Sequence, residues 1–350
     1  MKIKRHFKVT GFFILFKLIF IGCKEEHTVT TFSPEEIATA SSELNSWFQK
    51  QWDEEISYSP MTQTYLGKKT DYDKWDDLSK TAEKNALQRS KKRLSYLKDS
   101  VNVTALNSAT QLSYKLAIKQ NEDNIEDYQY RLYNYPVNQM FGAHSEVPSF
   151  LINMHQISNK SDAEAYIARL NGVEKMFGQV IENLKERETA GIMPPKFVYP
   201  RAIESSNNIL QGLPFENTEK QSTLLSDFSE KIEALELTAD EKNTLLSSTK
   251  KALLESVKPG YDKLIAFIEN QSTRASSDHG AWKFPNGEAY YTNALKRTTT
   301  TNMTAQEVHD FGLSEVARIH KEMTTIKDKV NFNRSLQDFF KFMKEDKQFY

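Results

Sequence analysis

From Val308 to Val330 the chain repeats an apolar residue at the period of an α-helix. Val308, Phe311, Val316, Ile319, Met323, Ile326 and Val330 recur at close to 3.6 residues. Thr304 and Glu307 stand just ahead of them, in the T-x-x-E arrangement where each side chain takes up a free backbone N–H at the helix start. The pattern dictates a long amphipathic helix. The residues leading into it are also punctuated. Pro285-Asn286-Gly287 reads as a turn, with Gly287 free to take positive φ. Tyr290 and Tyr291 then ride on a short helix, and Thr298 to Thr301 form a polar run.

Similar start signals recur along the chain. Ser33-Pro34-Glu35-Glu36 supplies an N-cap, a first-turn proline and a glutamate at the capping-box position. Ser161 to Glu164 and Thr238 to Glu241 repeat the box. Apolar stripes follow. Ile37, Leu44, Trp47 and Phe48 share one face, and Ser59-Pro60 is expected to end that helix. A second helix is expected from Asp71 or Asp73, with Trp75, Leu78, Ala82, Ala86, Leu94 and Leu97 as its stripe. A third runs from Val103 to about Arg131 through Leu106, Leu112, Leu116 and Ile118. Tyr166, Leu170, Val173, Phe177, Val180 and Leu184 form the most regular stripe, in a helix closed by Gly191. Pro194-Pro195-Lys196 opens another helix, Leu224 to Leu237 is helical, and the helix capped at Thr238 is expected to stop at Val257-Lys258-Pro259. No strand pair and no fixed-period repeat is found. Only 12 residues are Gly and 10 are Pro, while 27% are charged, a balance that suits long solvated helices. The expected fold is all-α, a multi-helix array over residues 33–350.

Residues 1–23 read as a signal segment rather than part of the fold. Lys2, Lys4, Arg5 and Lys8 make a basic head, and Gly11 to Ile21 is an apolar run interrupted by Lys17. That run falls short of the roughly 20 apolar residues needed to cross a bilayer. It ends in Gly22-Cys23, a small residue before the only cysteine of the chain. This resembles the lipobox of bacterial lipoproteins, in which Cys23 becomes the acylated mature N-terminus. The expected setting is the bacterial cell envelope, with the protein anchored at the outer membrane through Cys23. Residues 24–32 are then a tether. Its Lys24-Glu25-Glu26 fits either the acidic surface-export signal of some lipoproteins or a plain solvated linker.

Charge excludes one class of partner. With 46 basic and 47 acidic residues and a net charge of -1, the chain carries no electrostatic footprint for nucleic acid. A single cysteine excludes disulfides and thiolate metal sites. No H-E-x-x-H, P-loop, G-x-S-x-G or G-x-G-x-x-G occurs. His309 and His320 share a helix face but lie about 16 Å apart along the axis, too far for one zinc ion with ligands at about 2 Å. His309 stays a candidate only for a site completed elsewhere in the fold. His144 and His155 lack a helical partner and read as structural. Glu122, Asp123, Glu126 and Asp127 lack the spacing of a calcium loop and read as a solvated face, as do Lys91-Lys92-Arg93. Asn138 and Gln139 read as backbone caps. Arg297, beside the threonine run, has the fork for a carboxylate, though its plainer reading is a surface arginine.

The order of a proline-glycine turn, a Tyr-Tyr pair, a threonine run and then Thr304, Ala305, Glu307, Val308, His309, Gly312, Leu313, Glu315, Val316, Arg318, Ile319, Glu322 and Met323 resembles the DUF885 family of bacterial proteins. So do Thr64-Tyr65-Leu66-Gly67, the segment Tyr135-Pro136-Val137-Asn138-Gln139 to Gly142, and Pro194-Pro195-Lys196. The resemblance implies a fold similar to the N-terminal part of helical zinc metallopeptidases, with an H-E-x-x-P-G-H metal motif in the C-terminal half of a full-length member. That motif is absent from this chain, so no metal ligand is assigned in it. The ending at Phe349-Tyr350, apolar and without a polar tail, reads as falling inside an element. The expectation is therefore the N-terminal portion of a longer lipoprotein, or a natural truncation before the metal-binding half. In complete form it is expected to be a zinc-dependent hydrolase of peptide-like bonds. In that setting a hydroxyl of Tyr290 or Tyr291, which point about 100° apart on a helix, would stabilise an oxyanion on the substrate. The alternative expectation is a non-catalytic helical surface lipoprotein that binds nutrients or a protein partner.

The lipobox reading has a direct check. Palmitate fed to the producing cells should label the protein, and Cys23→Ser should abolish the label. Equal labelling of both would refute acylation at Cys23.

Overall fold

The computed structural model describes residues 32–350; Cys23, the signal segment and nearly all of the tether lie outside them. The described residues form helices joined by turns and extended segments. Among them no strand forms, only isolated bridges between Val137 and Gly142 and between Leu213 and Gln221. The all-α expectation holds.

The organising element is α6 (Lys160–Thr189). Its predicted stripe is the centre of the core, with Tyr166, Leu170, Val173, Phe177, Val180 and Leu184 all fully or almost fully buried. Around it lie α5 (Ala143–Asn153), α7 (Val198–Ile209), α8 (Thr223–Glu233), α9 (Ala239–Ala252) and α10 (Lys258–Ser272). A smaller core forms where α1 (Pro34–Ser57), α3 (Lys80–Ser100) and α4 (Ser108–Asp127) meet over Leu44, Leu97 and Leu106. Removing these side chains from water is the main drive to the fold, at about 25 cal/mol per Å² of apolar surface.

Several boundaries differ from the sequence reading, each for a visible reason. Ser59-Pro60 opens a short helix, α2 (Pro60–Tyr65), because the Ser59 hydroxyl accepts from Thr62 N. The next helix starts at Lys80 behind Ser79, not at Asp71 or Asp73. Trp75 and Leu78 are drawn away to α6, where Trp75 Nε1 donates to Arg169 O at 2.7 Å and Leu78 N to Gln179 Oε1 at 3.0 Å. The Val103–Arg131 helix is broken. Val103–Ala105 is a 3₁₀ turn, and Asn107 caps a new helix by accepting from Thr110 N at 2.9 Å. Leu112 and Leu116 point to solvent there, while Tyr114, Ala117 and Ile118 face the small core. The cap of α6 is Asn159, not Ser161; its Oδ1 accepts from Asp162 N at 3.0 Å, while the Asp162 carboxylate turns to Ser158 N and Lys69.

Pro259 does not stop its helix. The five residues Leu253–Val257 widen into a π-turn in which Lys258 N donates to Leu253 O. This i→i−5 step carries the ladder to the proline, which has no N–H to give. The turn sits on α6, with Ser256 Oγ donating to Asn171 O at 3.0 Å and accepting from Glu174 N at 3.1 Å.

After α10 the chain forms α11 (Gly287–Thr299), α12 (Ala305–Lys329) and α13 (Leu336–Glu345). The box at Thr304 and Glu307 forms as expected. A further box at Ser335 and Asp338 opens α13; its aspartate, in place of Glu or Gln, hid it from the sequence pattern. Not one residue of α12 is buried among the described residues.

The capping boxes give a pH dependence. Backbone N–H donation from Ser33, Thr238 and Thr304 holds Glu36, Glu241 and Glu307 below the usual carboxylate range, Glu241 down to about 2 with added help from Lys160. A carboxylate depressed in the folded state adds stability that is complete above its unfolded value and vanishes as pH falls through the folded one. Glu241→Gln should therefore lower the thermal midpoint at about pH 6, with the gap to the parent closing as pH falls from about 4.5 towards 2. A gap that is constant over that range would show that the charge contributes nothing.

Candidate functional site

The residues ahead of α11 fold as a close knot. Ala281–Lys283 is one 3₁₀ turn, Phe284 is buried, and Asn286 takes the left-handed conformation at φ 54°. The sequence reading gave that role to Gly287. Gly287 is needed for a different reason: a β-carbon on it would stand 1.9 Å from the Ala281 carbonyl oxygen. Asn is among the residues that tolerate the left-handed region, so the two neighbours divide the work of the turn.

Tyr290 enters an aromatic cluster. Its ring lies 4.8 Å from that of Tyr133, 5.8 Å from Tyr130 and 6.2 Å from Phe284. The Tyr133 hydroxyl donates to Pro285 O at 2.5 Å. Phe284 also meets Tyr135, whose phenol is pushed up to about 12 by burial and by the neighbouring Tyr290. Tyr291, one residue on, is 50% exposed. The two tyrosines thus part as their helical spacing requires, one packed and one open to solvent.

Two more segments join the knot. Pro194 and Pro195 are buried, and Lys196 N donates to Ser276 O at 2.8 Å in the loop before it. Below them Tyr199 donates to Gln271 Oε1, Gln271 Nε2 donates to Glu188, and Arg274 closes the chain on Glu188 at 2.6 Å. Asn138 caps its own loop, its Oδ1 accepting from both Met140 N and Phe141 N at 2.9 Å. Gln139 is exposed. Met140, Phe141, Phe197 and Trp282 stand out to solvent on these loops.

Arg297 and the acidic cluster turn out to be one structure. Arg297 reaches Asp127 through Nε at 3.0 Å and Nη2 at 2.9 Å, Glu126 at 2.6 Å and Asp123 at 3.0 Å. Neither is a plain solvated face: the guanidinium clamps α11 to the end of α4. The carboxylates hold its pKa well above the ordinary arginine value, and hydrogen bonds to Arg297 hold Asp127 and Glu126 low against their partial burial. The threonine run closes α11, with the Thr298 and Thr299 hydroxyls donating to Ala294 O and Leu295 O and Thr300 at φ 56°.

The histidines do not gather. His309 and His320 are exposed on α12. His144 and His155 are buried, and burial pushes them down to about 4 and about 3. Among the described residues no group of three or more His, Cys, Asp or Glu side chains converges on a point that could hold a metal ion. No described helix is long and apolar enough to cross a membrane.

The described residues thus form an all-helical body in which Tyr290 is packed into the loop knot, Tyr291 is open to solvent and His309 lies apart on α12. The sequence matches the family described as bacterial protein of unknown function, DUF885, over residues 60–350, and the chain belongs to that family. No curated protein matches it. The fold is similar to the crystal structure of “the putative lipoprotein from Colwellia psychrerythraea”, with a TM-score of 0.73 at 20% identity, over 88% of this chain and 55% of that one. It is also similar to “a putative lipoprotein of unknown function from Shewanella oneidensis”, with a TM-score of 0.58 at 15% identity, over 87% of this chain and 50% of that one. The chain thus spans about half the length of these solved relatives.

Replacing Arg297 tests the clamp. Arg297→Met leaves three carboxylates facing one another and should cost about 1 kcal/mol, kept small because Glu126 and Asp127 are partly solvated. Amide exchange over residues 287–299 should quicken more than in α6. Unchanged exchange there would show that α11 is held by its aromatic contacts alone.

Proposed function

We propose that this protein is an envelope lipoprotein, anchored through acylated Cys23, whose residues 33–350 form the N-terminal helical portion of a DUF885-type protein. In complete form that protein is a zinc-dependent hydrolase of peptide-like bonds, and the metal ligands belong to the polypeptide that this chain does not span. The portion described here supplies no metal ligand. It supplies a rigid wall, in which the aromatic knot fixes the start of α11 and presents the half-exposed Tyr291 at its edge.

The observation that carries this reading is the meeting of two of the resembling segments, Tyr133–Gly142 and Trp282–Tyr291, in one aromatic knot although they are far apart in sequence, with Pro194–Lys196 tied by Lys196 N to Ser276 O in the loop that leads into it. Packing alone asks for no such gathering of prolines, amides and tyrosines in loops. The half-length coverage of the solved relatives supports the same reading, as do their descriptions as lipoproteins. A second reading, a non-catalytic binding lipoprotein, draws on the exposed Met140, Phe141 and Trp282 near the knot. Such side chains suit contact with an apolar or peptide-like ligand.

Elemental analysis after dialysis separates the two. Residues 24–350 should retain no stoichiometric zinc and hydrolyse no peptide substrate, whereas a protein extended to the length of its relatives should do both. In the extended protein Tyr291→Phe should lower turnover by about a hundredfold if its hydroxyl serves an oxyanion, with the thermal midpoint unchanged. Tyr290→Ala should instead lower the midpoint, because it opens the ring cluster. Tight one-to-one zinc in residues 24–350 would overturn the assignment, and His309 would be the first ligand to test.

A further inference from the structure

Helix α12 carries a regular apolar stripe that, among the described residues, stays largely uncovered. Phe311 is 59% exposed, Val316 51%, Ile326 54% and Val330 58%. The one element that packs on α12 through several residues is α13. It touches only the C-terminal end, where Phe332 meets Phe339 and Phe342 at 5.2 Å each. An amphipathic helix of this length gains its stability mainly by burying such a face.

Gly312 sits in the middle of the stripe. A β-carbon added to it meets nothing within 4 Å. A mid-helix glycine costs about 1 kcal/mol relative to alanine, and no contact among the described residues accounts for it. A residue without a side chain at the centre of an apolar stripe lets another backbone approach closely. The partner that fits is therefore a helix crossing at Gly312. A lipid surface fits poorly, since a helix lying on a membrane presents a basic polar face. In α12 Glu307, Asp310, Glu315, Glu322 and Asp328 outnumber Arg318, Lys321, Lys327 and Lys329. Arg318 is moreover held within the helix by Glu315 and Glu322.

We propose that the stripe of α12 is the docking face for a helix in the part of the same polypeptide that extends past Tyr350. This rests on the reading above, that the chain is the N-terminal portion of a longer protein. Its occupant is chosen from that reading together with length: the solved relatives match 88% and 87% of this chain yet hold about as much polypeptide again outside the match. The stripe is a continuous apolar face left for that polypeptide to cover, and Gly312 marks the crossing point.

Site-directed labelling tests this cleanly, because Cys23 is the only cysteine and residues 24–350 contain none. Val316→Cys reports on the stripe, and Lys321→Cys reports on the opposite side of α12. In residues 24–350 both should react with a maleimide at similar rates. In the protein extended along its reading frame, Val316→Cys should react at least tenfold more slowly, with Lys321→Cys unchanged. Gly312→Leu should leave residues 24–350 at least as stable, since leucine is the better helix former, yet restore fast labelling of Val316→Cys in the extended protein. Equal rates in the two lengths would sink the proposal, as would a stop codon directly after Tyr350. Protection already present in residues 24–350, and growing with protein concentration, would assign the face to a second copy instead. None of these readouts involves zinc. An extended protein that protects Val316→Cys but binds no zinc would refute the hydrolase reading and leave the docking face standing.

Discussion

Arg169 is the point on which the packing of the N-terminal segments depends. It lies on α6 with no exposed surface, on the same side as Tyr166, Leu170 and Val173. Among the described residues no carboxylate pairs with it. Its fork is filled by neutral acceptors: Lys74 O at 3.0 Å, Thr64 Oγ1 at 2.7 Å and His155 Nδ1 at 2.9 Å. The rings of Phe150, Tyr72 and Trp75 surround the guanidinium, with centroids at 4.8, 5.1 and 5.7 Å. Burial pulls its pKa down to about 10, which still leaves it charged at neutral pH. A buried cation is costly unless its donors are satisfied, and only a planar fork reaches acceptors on three separate segments at once. A lysine there would satisfy fewer of them and let α2 and the extended run to Ser79 come loose from α6. His155 completes the arrangement as a neutral ring. Its Nδ1 must accept from Arg169, so Nε2 carries the proton and donates to Asp162 O at 3.0 Å. Its depressed pKa follows first from burial, to which the neighbouring guanidinium adds.

This hub also explains where the sequence was easy to read and where it was not. The stripe of α6 and the boxes at Ser33, Thr238 and Thr304 are local signals, and they were legible. The start of the next helix after α2 was not, because Trp75 and Leu78 have helical spacing yet are claimed by α6 across more than ninety residues, through Trp75 Nε1 to Arg169 O. Pro259 misled for the opposite reason. A π-turn absorbs the missing donor, and the turn is anchored by Ser256 on α6 rather than by anything nearby in sequence. Arg169 itself was detectable in principle: an arginine three residues after Tyr166 falls inside an otherwise apolar stripe. The Arg297 clamp was half visible. Its fork and the acidic cluster were both noticed, but more than 160 residues separate them, and only tertiary structure brings them together.

At the candidate site the same distinction holds. Helical spacing requires Tyr290 and Tyr291 to diverge, and they do. Which one would be packed depends on Tyr130, Tyr133 and Phe284, which come from another part of the chain. Family likeness marked Tyr133–Gly142 and Trp282–Tyr291 individually, and the fold brought them together. The aromatic cluster, the Asn286 turn and the Arg297 clamp all constrain α11, so the short helix that carries Tyr291 is fixed at both ends and on one face. Under the proposed function the Tyr291 hydroxyl would meet a developing charge, and that role needs such rigidity, because stabilisation that must first be organised is lost at the moment of reaction.

The exposure of α12 belongs to the same economy of constraint. Its cap is complete, its polar flank is tied by Arg318 to Glu315 and Glu322, and its stripe is regular. Each local choice agrees with a helix that buries one face, and consistency of that kind across levels is what a selected sequence shows. The one local choice that weakens the helix is Gly312, and it lies where a covering helix would come closest. An isolated surface helix would gain stability from alanine there and solubility from polar residues along the stripe. The sequence does neither, so the features that are unfavourable to α12 as it stands are the ones that a packed partner would turn to use.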